Sequence, residues 1–132
     1  MSEQIAQQAY SGVKRFTKDF GDTDKRLQGR YLTLARKLPA MLQVNGLGQT
    51  VAFLYSKGKG AQFIGAEGQL LRLLDELTRL GDVVPGPVDP MQRIVNMTPT
   101  GYRVATQRAM VGAIWIKRIA EGLIIDAPEV DE

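Results

Sequence analysis

Eight bases, Lys14, Arg15, Lys18, Lys25, Arg26, Arg30, Arg36 and Lys37, fall within residues 14–37 against three acids. Ammonium and guanidinium groups on a rigid backbone grip phosphate oxygens by charge and N–H donation, and break no bond in doing so. The basic character sharpens when the last residues are set aside. Residues 126–132 (Asp-Ala-Pro-Glu-Val-Asp-Glu) hold four acids and no base, which leaves 17 bases against 10 acids, a charge of +7, on the rest. A body this basic suits an acidic partner, most often nucleic acid. A solvated helix face fits the same composition equally well.

Bond-breaking chemistry has little to work with. The chain has no histidine and no cysteine, which removes Ser-His-Asp and Cys-His nucleophile systems and ordinary zinc sites. Carboxylates and lysines remain, so catalysis is disfavoured rather than excluded. Asp75 and Glu76 are adjacent, point about 100° apart on a helix and cannot converge on one metal; they read as surface charge. Gly58-Lys59-Gly60 lacks the spacing and the preceding strand of a phosphate loop, and Gly46-Leu47-Gly48 fails the dinucleotide pattern in the same way. No cofactor and no metal are expected. Without cysteine, disulfides are excluded and a reducing cytosol suits the chain. The first eight residues carry no apolar signal core, and the longest apolar run, Ala109 to Ile116, is far short of the roughly twenty residues of a membrane span. A soluble, cytoplasmic protein is the expectation.

The elements that position these side chains are helical throughout. Ile5, Ala9, Val13, Phe16 and Phe20 recur at helical spacing, and Gly21 with Asp22-Thr23-Asp24 supplies a stop and a new cap. Leu27, Tyr31, Leu34 and Leu38 mark a second helix. Pro39 permits a fresh start at its own position, and Asn45-Gly46 makes a break. Leu47, Val51 and Leu54 line a third segment ending at Ser56-Lys57-Gly58-Lys59-Gly60, where glycine suits a left-handed stop. Residues 67–80 form the cleanest helix, with Gly81 closing it, and the proline-rich stretch 83–90 reads as a loop. A short helix from Met91 to Val95 follows, and Thr98-Pro99 opens a last helix to Leu123. The reading is all-α, a single compact bundle of five to seven helices over residues 1–125, with 126–132 a solvated, disordered tail.

The Asn45-Gly46 corner resembles a helix-turn-helix, with Gln49, Thr50 and Ser56 as base-reading groups on the helix after it; most such corners are plain αα-hairpins. Phe53, Tyr55, Tyr102 and Trp115 fall on or beside core stripes and read as packing. Gly101 and Gly112, inside the last helix, cost about 1 kcal/mol each relative to alanine, and point to a close internal approach.

Three stretches share a further likeness: Tyr31-Leu-Thr-Leu-Ala-Arg-Lys-Leu-Pro-Ala-Met41, Asn45-Gly-Leu-Gly-Gln-Thr-Val-Ala-Phe-Leu-Tyr-Ser-Lys57, and Trp115-Ile-Lys-Arg-Ile-Ala-Glu121. Their order and spacing, over residues 10–122, resemble the small subunit of the type III-B CRISPR effector, the Cmr complex. The resemblance implies an all-α, non-catalytic subunit of an antiviral, RNA-guided effector. Copies of such subunits stack beside the backbone subunits and help form the channel for guide and target RNA. The implied partners are other effector subunits, further copies of itself, and RNA, with no membrane and a monomer in isolation. Lys14, Arg15, Lys18, Arg26, Arg30 and Lys37 are the RNA-facing candidates from the basic region, and Lys57, Lys117 and Arg118 from the family-like blocks. Lys57 could equally cap helix-end carbonyls, and Lys117 and Arg118 cannot share a helix face. A DNA-binding regulator using the Asn45-Gly46 corner, or a pure protein adaptor, are the competing readings.

Overall fold

Asp24, Asp89 and Thr98 each turn a side-chain oxygen onto amides that a helix start leaves unpaired. Asp24 accepts from Leu27 N at 2.9 Å, Asp89 from Met91 N at 2.9 Å, and Thr98 from Gly101 N at 3.0 Å. Each opens a helix. The computed structural model describes residues 2–21, 24–80, 89–128 and 130. Its helices are α1 (Ser2–Phe20), α2 (Lys25–Lys57), α3 (Gly65–Thr78), α4 (Pro90–Val95) and α5 (Pro99–Leu123), with one 3-10 turn (Gly60–Gln62) before α3. Among the described residues there is no strand, and the all-α bundle stands. No helix among them is long and apolar enough to cross a membrane. Asp22, Thr23, Gly81 and most of the proline-rich stretch lie outside the described residues.

The bundle is built around the leucines of α3. Leu70, Leu71, Leu73, Leu74 and Leu77 are all buried. Leu73 fills the space a side chain at Gly12 of α1 would need, and a Cβ on Gly112 of α5 would come within 2.7 Å of Leu77 Cδ1. Both glycines therefore admit a leucine rather than a backbone. Phe16 of α1 stacks on Tyr31 of α2 with ring centroids 3.9 Å apart. That burial lifts the Tyr31 phenol above its ordinary range. α2 packs chiefly on α3 and α5, and α1 packs on α5 and α3. α1 meets α2 less extensively than it meets α5 or α3.

One expectation about α2 changes and two hold. The helix runs through Pro39 without a fresh start, since Gly46 alone departs from helical geometry; the ring costs one hydrogen bond, which the surrounding packing outweighs. Gly46 adopts φ 83°, ψ 167°, a region open to glycine almost alone. The consequence is large. Arg30 pairs with Glu67 while a Cβ on Gly58 would lie 2.7 Å from Gly68 Cα. A straight helix would separate Arg30 and Gly58 by about 42 Å, so α2 folds back on itself at Gly46. The amide of Gly48, freed by the break, donates to the Tyr102 hydroxyl at 2.9 Å. Finally, the left-handed turn after α2 falls on Lys59 (φ 61°) and Gly60 (φ 69°), within the stretch expected to stop it. Gly58 is small because Gly68 approaches it.

The C-terminal segment also has contacts. Ile124 and Val130 are buried, Ala127 packs against the core, and a Cβ on Gly29 would overlap the Pro128 carbonyl oxygen. The segment expected to be solvated touches α2 at these described positions.

Gly46→Ala should lower stability by about 1–3 kcal/mol, read as a reduced denaturant midpoint. Tyr55 donates to Asp89 at 2.7 Å. That bond holds the Asp89 carboxyl below its usual range and raises the Tyr55 phenol. A depressed carboxylate stabilises above its unfolded pKa, and the contribution is lost as pH falls through the lower folded value. Tyr55→Phe should therefore bring the Asp89 pKa up, followed by carboxyl NMR titration, and remove that part of the acid-side loss of stability.

Candidate nucleic-acid interface

The basic region divides between α1 and α2. On α1, Tyr10, Lys14 and Lys18 follow at four-residue intervals and are all exposed. They form one stripe. The Lys14 ammonium stands 6.0 Å from the Tyr10 ring centroid, at the edge of cation–π reach. On α2, Arg26 and Lys37 are exposed and lie three helical turns apart on one stripe.

Arg15, at the surface, and Arg30, largely enclosed, are engaged by carboxylates of α3. Arg15 pairs with Glu76 at 3.2 Å, and Gln8 donates to the same carboxylate oxygen at 3.1 Å. Arg30 meets Glu67 at 3.0 Å, their side chains 13% and 15% exposed. A guanidinium held this way has lost most of its hydration and much of its field to its partner. Lys57 is exposed beyond the break in α2, Lys117 is half-buried and Arg118 is exposed on α5. Among the described residues Lys14, Lys18, Arg26, Lys57, Lys117 and Arg118 have no carboxylate partner. The nine candidates thus separate into an α1 pair, an α2 pair, two internally paired arginines, and three lysines or arginines elsewhere.

Asp75 and Glu76 are not plain surface charge. Asp75 pairs with Arg79 at 2.8 Å and lies 3.7 Å from Arg93; burial raises its pKa against the pull of Arg79 and Arg93. Arg93 and Arg108 donate to the Thr78 carbonyl at 2.9 and 3.0 Å. Two cations at the last turn of α3 also complement its dipole. These bases hold the fold together rather than face a ligand. Arg36 reaches Glu121 at 3.0 Å on the surface.

The aromatics divide as well. Tyr102 and Tyr55 are hydrogen-bonded within the bundle, but Phe53 and Trp115 are exposed, Trp115 by 40%. Their expected role as packing is corrected at those two positions. Trp115 and Glu3, Ala6 and Gln7 of α1 line a surface hollow of about 360 Å³. Gln7 lies on the same α1 stripe as Tyr10 and Lys14. The indole therefore stands beside the start of the α1 stripe that carries the phenol and the two lysines. Single-stranded nucleic acid is held by this combination, with cations on the backbone and rings under the bases. On the far side of Trp115 lies a second hollow of about 300 Å³, lined by Val111, Ile114, Trp115 and Arg118. Sequence reasoning missed Tyr10, although its spacing to Lys14 and Lys18 was there to read. It missed Trp115 because a stripe of alanines beside it carries the burial instead. Of the proposed base readers, Thr50 is buried, which removes it from any duplex-reading surface.

Residues 1–123 match the family described as CRISPR-associated protein (Cas_Cmr5). The chain is 30% identical over 132 residues to the CRISPR system Cmr subunit Cmr5 of Thermus thermophilus, covering 93% of this chain and 95% of that one.

Glu67→Gln should replace the charge-assisted bond to the largely enclosed Arg30 guanidinium with a neutral one and cost about 1–3 kcal/mol. Glu121→Gln, which loosens an exposed pair, should cost under about 1 kcal/mol. Urea unfolding of the two variants side by side measures the difference.

Proposed function

The chain belongs to the CRISPR-associated Cas_Cmr5 family, and from that premise we propose that it is a non-catalytic subunit of a cytoplasmic Cmr effector complex that follows RNA by shape and charge. The relative in Thermus thermophilus is named as a Cmr subunit. The observation that carries the RNA half of the reading is the α1–α5 face. Lys14 and Lys18 stand in solvent without carboxylate partners among the described residues, in line with the exposed ring of Tyr10 and with Trp115 beside the start of their stripe.

An A-form guide–target helix offers phosphates and 2′-hydroxyls but hides its base edges in a deep groove. Cations on a rigid helix meet such a ligand without reading sequence. One subunit supplies few contacts, so affinity comes from several copies acting together along the strand. The absence of histidine and cysteine fits a subunit that leaves bond-breaking to neighbours. The exposed Val111, Ile114 and Trp115 suit contact with other subunits or with further copies. A duplex-reading regulator is disfavoured, because the helix after Gly46 buries Thr50 and presents Gln49 and Ser56 alone from that set.

Lys14→Glu with Lys18→Glu should weaken target-RNA capture by the reconstituted complex while leaving the helical spectrum intact. The log–log salt dependence should flatten by about 0.7 for each phosphate that goes unneutralised. Unchanged capture and an unchanged salt slope would remove the α1 face from the RNA path.

A further inference from the structure

Helix α2 bends at one residue and is helical on both sides of it. Gly46 holds the bend at φ 83°, ψ 167°, and a glycine adopts negative φ as readily as positive. Turned to helical values, α2 would be a single rod of about 50 Å. The bend lies at the surface, where Gln43, Val44 and Asn45 are exposed, Val44 by 80%. One bond closes it, from the Gly48 amide to the Tyr102 hydroxyl. Within a rod that amide would donate instead to the carbonyl four residues back.

A straight α2 cannot serve one copy of the bundle. At about 100° per residue, Leu38 and Leu54 would lie about 160° apart round the rod, yet both are buried in the same core. The stripe of Leu34, Leu38 and Leu42 and the stripe of Leu47, Val51 and Leu54 would look to nearly opposite sides. The helices that cover the first stripe follow the hinge in sequence, since α2 packs chiefly on α3 and α5. α1 depends on the same two helices, with Leu73 of α3 filling the space beside Gly12. A second copy supplies them. Two rods related by a two-fold axis would each lay α1 and the first half of α2 on the later helices of the other chain. The packing between described residues before and after Gly46 is then remade between chains, and the interface is the bundle core itself, formed twice.

We propose that Gly46 is a swap hinge through which two copies of this chain exchange halves, residues 2–45 of each packing on the residues after 46 of the other. The partner is a second copy held by the core rather than by an outer surface, and the exchange needs no RNA. The bent and swapped forms share their packing and differ at the hinge, so protein concentration during folding sets their ratio. A side chain at position 46 disfavours the bent form alone.

Full-length wild type, Gly46→Ala and Tyr102→Phe are refolded from urea at high concentration and separated by size-exclusion chromatography with light scattering. Wild type should give mainly monomer, with a minor dimer that survives dilution because release requires both bundles to open. In Gly46→Ala a strain of about a factor of ten is relieved at each of two hinges, so the dimerisation constant should rise about a hundredfold. Tyr102→Phe removes the bond that closes the bend and leaves position 46 unchanged; it should raise the constant about tenfold. A chemical bridge then shows which chains are joined. Arg36 and Glu121 meet at the surface from opposite sides of the hinge, and the chain has no cysteine of its own. With Arg36→Cys and Glu121→Cys added, a short bismaleimide should link each monomer to itself and link two chains in the swapped dimer, doubling the mass on a denaturing gel. Two intact bundles touching at their surfaces would keep every bridge within one chain. Dimers bridged only within single chains would overturn the swap, and so would the absence of dimer from all three proteins. If Gly46→Ala does not fold, Tyr102→Phe and wild type decide by the same two readings.

Discussion

The bundle depends on one backbone conformation that side chains other than hydrogen do not readily allow. At Gly46 the chain leaves helical geometry for φ 83°, ψ 167°, and α2 turns back on itself. Leu34, Leu38 and Leu42 before the break and Leu47, Val51 and Leu54 after it are then all buried in the same core. Without the reversal, the residues after Gly46 would project from the bundle with an apolar face in water. The Tyr102 hydroxyl, 2.9 Å from the Gly48 amide, satisfies a donor that the break would otherwise leave unpaired. The glycine-rich block of the sequence is therefore a hinge in the scaffold, not a ligand loop.

Charge is sorted by the scaffold into two kinds. Arg15, Arg30, Arg93 and Arg108 are drawn onto carboxylates or helix-end carbonyls. There they tie α1, α2, α4 and α5 to α3. The pairs cost desolvation, and partners with good geometry offset that cost. Lys14, Lys18 and Arg26 remain in solvent, available to an outside anion at little desolvation cost. Part of the positive charge in the sequence thus goes into holding the bundle, and the rest faces outward from several helices.

The two basic stretches differ in how they would meet a nucleic acid. The α1 stripe carries rings beside its cations, which suits exposed bases. The α2 stripe of Arg26 and Lys37 has no ring on it. The apolar surface around Ile114 and Trp115 lies on α5, next to the α1 stripe. A protein neighbour seated there would border the same nucleic acid.

The helical class, the caps at Asp24 and Thr98, the break at Gly46 and the buried stripes were legible from sequence, since each depends on spacing or on residues adjacent along the chain. Local stereochemistry is enough to place them. Which bases face outward was not legible. Arg15 and Lys14 are neighbours in sequence with the same charge, yet Glu76, 61 residues on from Arg15, claims one and leaves the other. Asp75 looked like surface charge because the arginine that crosses to it, Arg93, comes from a different helix. Trp115 looked buried because helical periodicity fixes which residues share a face but not how wide a partner will cover it. The tail's seat needed a notch at Gly29 and a chain end about a hundred residues later. Such long-range pairings come only from the packing of helices against one another, for which short-range spacing carries no signal.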